Sequence, residues 1–400
     1  MMKKLFFAIA AIALVAVTAC DKTPKAVNAT VTIDESGLSA DVPKPDAYVI
    51  TLTNTTTAET FKADSENNSA SFVLTPGIYN VLVEGHSAAD GVAFNISGSE
   101  KLSALEEGAT VAVKVNSAKS TALIFKELYY CGVKNGDASY FRDIFFELYN
   151  NSDQIVYADN LCICALDMYN YSGEPREFEI ENADKYVYSE HVWQIPGDGD
   201  DYPVGPGESI VIAQWATNHK IESLGGDNAK DLTGAEFEAI LGESTLWNGT
   251  VITDNPAVNM QLFGETYSMP QWLPGVGGKT MIIFFPPEGL SREMTYEVGS
   301  SSQYSAAIAI PADCILDAVR CCENDEDGAR VTVPAEHDSG YIFCSGMYAN
   351  ESVVRKIAET KEDGRIVYQD TNNTASDFEV KSDPQIRRNG AKVPSWNTWN

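Results

Sequence analysis

Positive charge is scarce in this chain. Lys and Arg together number 28 against 57 Asp and Glu, a formal charge of −29 over 400 residues. Nucleic-acid binding depends on Lys and Arg displacing counterions from phosphate, so no nucleic-acid partner is expected. Docking on anionic lipid by charge alone is disfavoured for the same reason. Histidine is rarer still, limited to His86, His191, His219 and His337. There is no Gly-x-Ser-x-Gly elbow, no His-Glu-x-x-His, no phosphate loop and no dinucleotide glycine fingerprint. The chain is therefore expected not to be an enzyme. Long apolar runs are missing after the first twenty residues, and the run from Leu5 to Val17 is shorter than the roughly 20 residues that span a bilayer. Cysteine is present, but beyond Cys20 the count is odd: Cys131, Cys162, Cys164, Cys314, Cys321, Cys322 and Cys344. At least one is unpaired in an exported chain, which argues against a disulfide framework as the main stabiliser.

What is present begins with an address. Lys3 and Lys4 precede the apolar run, and Val17-Thr18-Ala19-Cys20-Asp21 follows it. Small residues before a Cys at this place resemble the lipobox of bacterial lipoproteins. The resemblance implies a signal peptide over 1–19, cleavage before Cys20, and palmitate-type acylation of the new N-terminus. The alternative is an ordinary secretory leader cut at Ala19. With no later span, the membrane is a partner through lipid alone, in the cell envelope. Residues 20–28 form a tether. Asp21 would signal inner-membrane retention under the enteric sorting rule, which need not hold in the resembled group. CDKTPKA lacks the acidic run that would mark surface export there. The expected location is the outer membrane, with the surface or periplasmic face left open.

The remainder reads as all-β. Between residues 29 and 117 the segments VTI, YVITLTN, ASFVLTPGIYNVLVEG, VAFNISG and TVAVKV alternate apolar and polar residues with period two. Tyr48, Ile50 and Leu52 share one face. Pro76-Gly77 marks a turn. A small β-sandwich spacer is predicted, and its Gly-Tyr hairpin resembles transthyretin-like or immunoglobulin-like modules. A polar joint at Asn116–Thr121 leads to the second unit, 122–383. ALIFKELYY and DIFFELYN are its first strands, followed by a turn at Asn150–Asp153 and a third strand through Ile155, Tyr157, Leu161, Ile163 and Ala165. One short helix is predicted at Gly234–Leu241. Residues 384–400 lack periodicity and read as an extended tail.

The ELYN strand after an opening I-x-x-E, YPVGPGESIVIAQWATNH at 202–219, and DTNNTASDF within 352–380 are similar to segments of the immunoglobulin-like lamin-tail domain. DLTGAEFEAIL and Asn218-His219 add likeness to Bacteroidota envelope lipoproteins of unassigned function that carry such a domain. The resemblance implies a larger lamin-tail-like β-sandwich with long loop inserts. It implies a fold and a location, not a reaction.

Candidate sites follow from residue chemistry. Asp198, Asp200 and Asp201 lie in a Gly-rich turn and supply the hard oxygens calcium prefers, which makes calcium the one cofactor considered. Glu323, Asp325 and Asp327 before Gly328 mimic the front of an EF-hand, but Pro334 stands where the bidentate Glu belongs. Trp247, Tyr267 and Trp272 lie in Gly- and Pro-rich loops and are candidates to stack on a sugar or anchor a protein; the bland alternative is that such rings cap their own core. Cys162-x-Cys164 and a Cys344–His337 pair read better as buried thiols than as zinc or catalytic groups. The function expected is a non-catalytic envelope binding or accessory protein, with an outer-membrane transporter, glycan or envelope protein as partner. The alternatives are a structural or adhesive component, and a hydrolase using carboxylates such as Asp198 or Glu265.

Overall fold

The computed structural model describes residues 25–400 apart from 39–41, 90–91, 120, 171, 247–248 and 266–269. Cys20, Trp247 and Tyr267 therefore lie outside the described residues.

Alternating side chains build the first unit. Its strands are β1 (Val27–Gly37), β2 (Val49–Asn54), β3 (Thr60–Asp64), β4 (Ser69–Leu74), β5 (Gly77–Ala89), β6 (Val92–Ala104) and β7 (Ala109–Lys119). They form one sheet in the order β3-β2-β5-β6-β7-β1-β4, with β1 parallel to β7 and antiparallel to β4. Strands β3 and β4, at the two ends of that order, approach one another, so the sheet rolls around one core. As the period-two pattern requires, Tyr48, Ile50 and Leu52 are buried, and Val81, Val83 and Val113 meet them. Each such side chain stabilises the fold by roughly 1.5–3 kcal/mol relative to exposure. The all-β architecture is borne out here.

In the second unit a seven-stranded sheet runs in the order Val258–Asn259, Phe237–Glu238, Ser209–Ala213, Phe145–Asn150, Leu123–Tyr129, Ser352–Arg355 and Phe378–Lys381. A five-stranded sheet packs on it, ordered Gln261–Glu265, His191–Gln194, Cys162–Ala165, Thr280–Phe284 and Ile315–Arg320. Phe125, Phe146, Ile163, Trp193, Ile283 and Val319 fill the space between them. A third, smaller sheet (Tyr186–Ser189, Ala306–Pro311, Met294–Tyr296) covers the far face of the five-stranded one. Cys162, Cys164, Ile282, Phe284, Ile308 and Ile310 are buried there. The strand CICA thus sends its two Cys to one core and Ile163 and Ala165 to the other. Burial pushes both thiols up, and they are packing groups.

Three expectations need correction. The first two strands of the unit pair directly, Phe145 opposite Tyr129. The third crosses over: Cys162–Ala165 belongs to the facing sheet, because its two faces meet two different cores. The predicted helix at Gly234–Leu241 is absent. Ala235, Phe237 and Ala239 face the core while Glu236 and Glu238 accept the backbone N–H groups of Val211 and Ala216, both at 2.8–2.9 Å. That is a period-two pattern, and it makes a short strand that runs parallel to its neighbours Ser209–Ala213 and Val258–Asn259. Finally, residues 384–400 are docked rather than loose. Trp396 packs on Tyr202 and Phe237, and Trp399 donates its indole N–H to Ala235 O at 3.0 Å.

The two units touch through polar groups. Asn95 donates to Asp370, Ser97 Oγ to Thr371 O, and Asn373 to Ser99 Oγ.

Candidate functional site

Three strands of the five-stranded sheet reach the same end of that sheet, and the chain segments that continue them there line an open cleft of about 560 Å³. Leu166–Asn170 leaves the strand Cys162–Ala165, Gly278–Thr280 enters the next, and Arg320–Asn324 leaves the last. Arg176 and Glu190 come from the polar insert, and Glu297 and Tyr304 from the segment around the outer sheet.

Charge is fixed in this cleft. Asp167 pairs with Lys279 through one carboxylate oxygen and accepts the Glu190 N–H at 2.8 Å through the other. The Arg176 side chain is only 4% exposed. It pairs with Glu297 through Nε and with Glu190 through Nη1 at 3.0 Å, and Nη1 also donates to Asp167 O. Its Nη2 is buried without a hydrogen-bond partner. Burial, then the negative Asp167, pushes the Glu190 carboxyl up. Burial also pushes the Cys322 thiol up to about 11, so the vicinal cysteines offer no ready thiolate.

The opposite wall is the acidic turn. Asp325–Gly328 is one helical turn whose Asn324 side chain accepts from Glu326 N and Asp327 N. Asp327 pairs with Arg330, whose guanidinium lies 5.7 Å from the Tyr169 ring centroid. Arg320 holds the turn in place by donating to Gly328 O and Arg330 O. Gly328 is required: a Cβ there would sit 2.3 Å from the Tyr341 ring. Tyr304 stands 71% exposed at the rim. The result is a concave surface of both signs of charge with three tyrosines along it, suited to a polar ligand with many hydrogen-bonding groups.

The predicted site residues fall elsewhere. Asp198, Asp200 and Asp201 are exposed. Asp159 organises their loop, accepting from Gly199, Asp201 and Tyr202 N–H, and Asp201 accepts from Asp198 N. Among the described residues no group of three or more His, Cys, Asp or Glu is placed to hold a metal. Backbone N–H groups thus bond the Asp159 and Asp201 carboxylates. Trp272 is 4% exposed and its ring lies 5.2 Å from Phe146, so it is a core residue rather than a ligand platform. Glu265 ends an edge strand, its backbone paired with His191. The Cys344 thiol donates to Glu351 O, not to His337.

Arg176, Lys279, Tyr304 and Tyr341 escaped sequence reasoning. The available signal was an Arg in an otherwise acidic insert (GEPREFEIE), together with the CCENDEDG turn that does form a wall.

A family profile described as "Protein of unknown function (DUF4876)" matches residues 205–385. The crystal structure of a DUF4876 family protein from Bacteroides thetaiotaomicron superposes with a TM-score of 0.63 at 30% identity, covering 93% of this chain and 99% of that one. No curated protein matches. With 30% identity over nearly the full length of both chains, this protein belongs to the DUF4876 family.

Proposed function

We propose that this protein is a lipoprotein anchored through Cys20 in the cell envelope, at the outer membrane, and that it binds a glycan in the cleft without chemical turnover. The first sandwich is the spacer and the second, read as lamin-tail-like, carries the site. The observation that supports a ligand is Arg176: a guanidinium held by two carboxylates, almost wholly buried, with one nitrogen left unsatisfied beside a cleft. An unsatisfied buried donor costs about 1–3 kcal/mol, which a ligand oxygen would offset. Tyrosine faces and paired charges of both signs are the groups that recognise hydroxyl-rich ligands. An outer-membrane transporter for the same glycan is the partner this reading calls for.

Calorimetry with neutral and acidic oligosaccharides tests it. Arg176→Ala and Tyr304→Ala are each expected to weaken binding at least about tenfold, the equivalent of 1.4 kcal/mol. No binding by the intact chain to any oligosaccharide would sink the reading. Loss of acyl label in Cys20→Ala tests the anchor. A second reading, a carboxylate-dependent hydrolase, draws on Glu190, whose proton is held more tightly beside Asp167 in the same cleft. Release of reducing ends from a bound oligosaccharide, abolished in Glu190→Gln, would establish it over the first.

A further inference from the structure

We propose that Cys131 and Cys344 are joined by a disulfide in the oxidised protein. The backbone already brings their segments together. Tyr348 N donates to Cys131 O at 2.6 Å and Asn350 N to Gly132 O at 3.0 Å, with a β-bridge between Val133 and Ala349. Both thiols then converge on one carbonyl: Cys131 Sγ donates to Glu351 O at 3.1 Å and Cys344 Sγ lies 3.7 Å from the same oxygen. Glu351 N points back at Cys131 Sγ at 3.4 Å, so the same peptide segment holds both sulfurs. Two thiols drawn to one carbonyl oxygen from paired backbone segments are near neighbours, the arrangement from which a disulfide forms. Metal binding does not compete, since among the described residues no group of three ligating side chains exists.

The chemistry closes with a disulfide oxidant, either a small-molecule disulfide or a protein one. The Cys131 thiol loses its proton and attacks one sulfur of the oxidant. The oxidant's S–S bond breaks and one thiolate leaves. The Cys344 thiolate then attacks the Cys131 sulfur of the mixed disulfide and expels the second thiolate. Two protein thiols are oxidised, one disulfide is reduced to two thiols, and the two protons balance. Cys131 is 0% and Cys344 4% exposed, so this happens while the chain folds, before the core shuts out solutes. The bond ties the end of the strand Leu123–Tyr129 to the segment that carries Tyr341 and the acidic turn. It therefore braces one wall of the cleft, and restricting so long a loop limits the unfolded chain.

The test uses the full chain purified without reductant, unfolded in the presence of an alkylating agent and digested without reduction. The expected result is a peptide pair linked through Cys131 and Cys344, two hydrogens lighter than its parts, and two fewer alkylated sites than the seven thiols beyond Cys20. As a second measurement, reductant should lower the melting temperature of this protein and leave that of the Cys131→Ser/Cys344→Ser variant unchanged. Seven alkylated thiols, or a link that pairs either residue with Cys321 or another cysteine, would overturn the proposal.

Discussion

Replacing Arg355 with Met is the perturbation whose cost the structure fixes best. The guanidinium is buried and faces three carboxylates: Asp317 through Nη2, Asp370 through Nη1 at 2.9 Å, and Asp377 at 3.7 Å. Its Nε donates to Phe125 O at 2.6 Å, and its Nη1 to Gln369 O at 3.0 Å. Met keeps the length and loses every donor. Removing one partner of a buried ion pair costs about 3–5 kcal/mol, because the remaining charge stays desolvated. The pH dependence follows from the acids. Burial pushes Asp317 and Asp377 up to about 7, against the downward pull of Arg355. An acid raised on folding contributes stability that is complete below its unfolded pKa and is lost as pH rises through the folded one, here between roughly 4 and 7. Without Arg355 the pull disappears and both rise further. The loss should thus be greater at pH 8, where the carboxyls must ionise, than at pH 5, where they hold protons. We expect a gap of at least about 1.4 kcal/mol, one pKa unit. Urea unfolding followed by tryptophan fluorescence reads this unit alone, since all six tryptophans lie at or beyond Trp193. A loss under about 1 kcal/mol, or a larger loss at pH 5 than at pH 8, would refute the reasoning.

Two further outcomes follow. Burial lowers the His219 pKa to about 4, with Nδ1 against Tyr140 OH at 2.6 Å and Nε2 against Trp215 O at 2.9 Å. The ring should stay neutral down to pH about 5, contributing stability above its ordinary value near 6.5 and losing it as pH falls towards 4; an imidazole NMR shift showing protonation above pH 6 would contradict this. Truncation after Asp383 removes Arg388 from Glu127, the Arg387 N–H from Glu147, and Arg387 and Asn397 from Glu236. It should cost about 3 kcal/mol or more, and an unchanged urea midpoint would show that the tail is dispensable.

The period-two segments of the first unit were legible because each strand needs only one buried face. Tyr48, Ile50 and Leu52 announce that face in sequence, and the core takes all three. The same logic failed for CICA and for residues 235–239. There the chain is buried on two sides or satisfies polar groups internally, so composition no longer reports exposure. Glu236 and Glu238 look solvent-exposed by residue type, yet they are buried acceptors for a neighbouring strand. Trp272 misled for the converse reason: its loop is rich in Gly and Pro, but the side chain turns inward onto Phe146.

The sequence alone determined the class of fold, the break between the two units and the acidic character of the chain, since alternation, turn residues and net charge are local or additive properties. Only the tertiary structure decided where Arg176, Lys279 and Tyr341 meet, because those residues lie up to 165 positions apart. A cleft at the end of a sheet is made by strand order, and strand order is settled by which hydrophobic faces find one another, information spread over the whole chain.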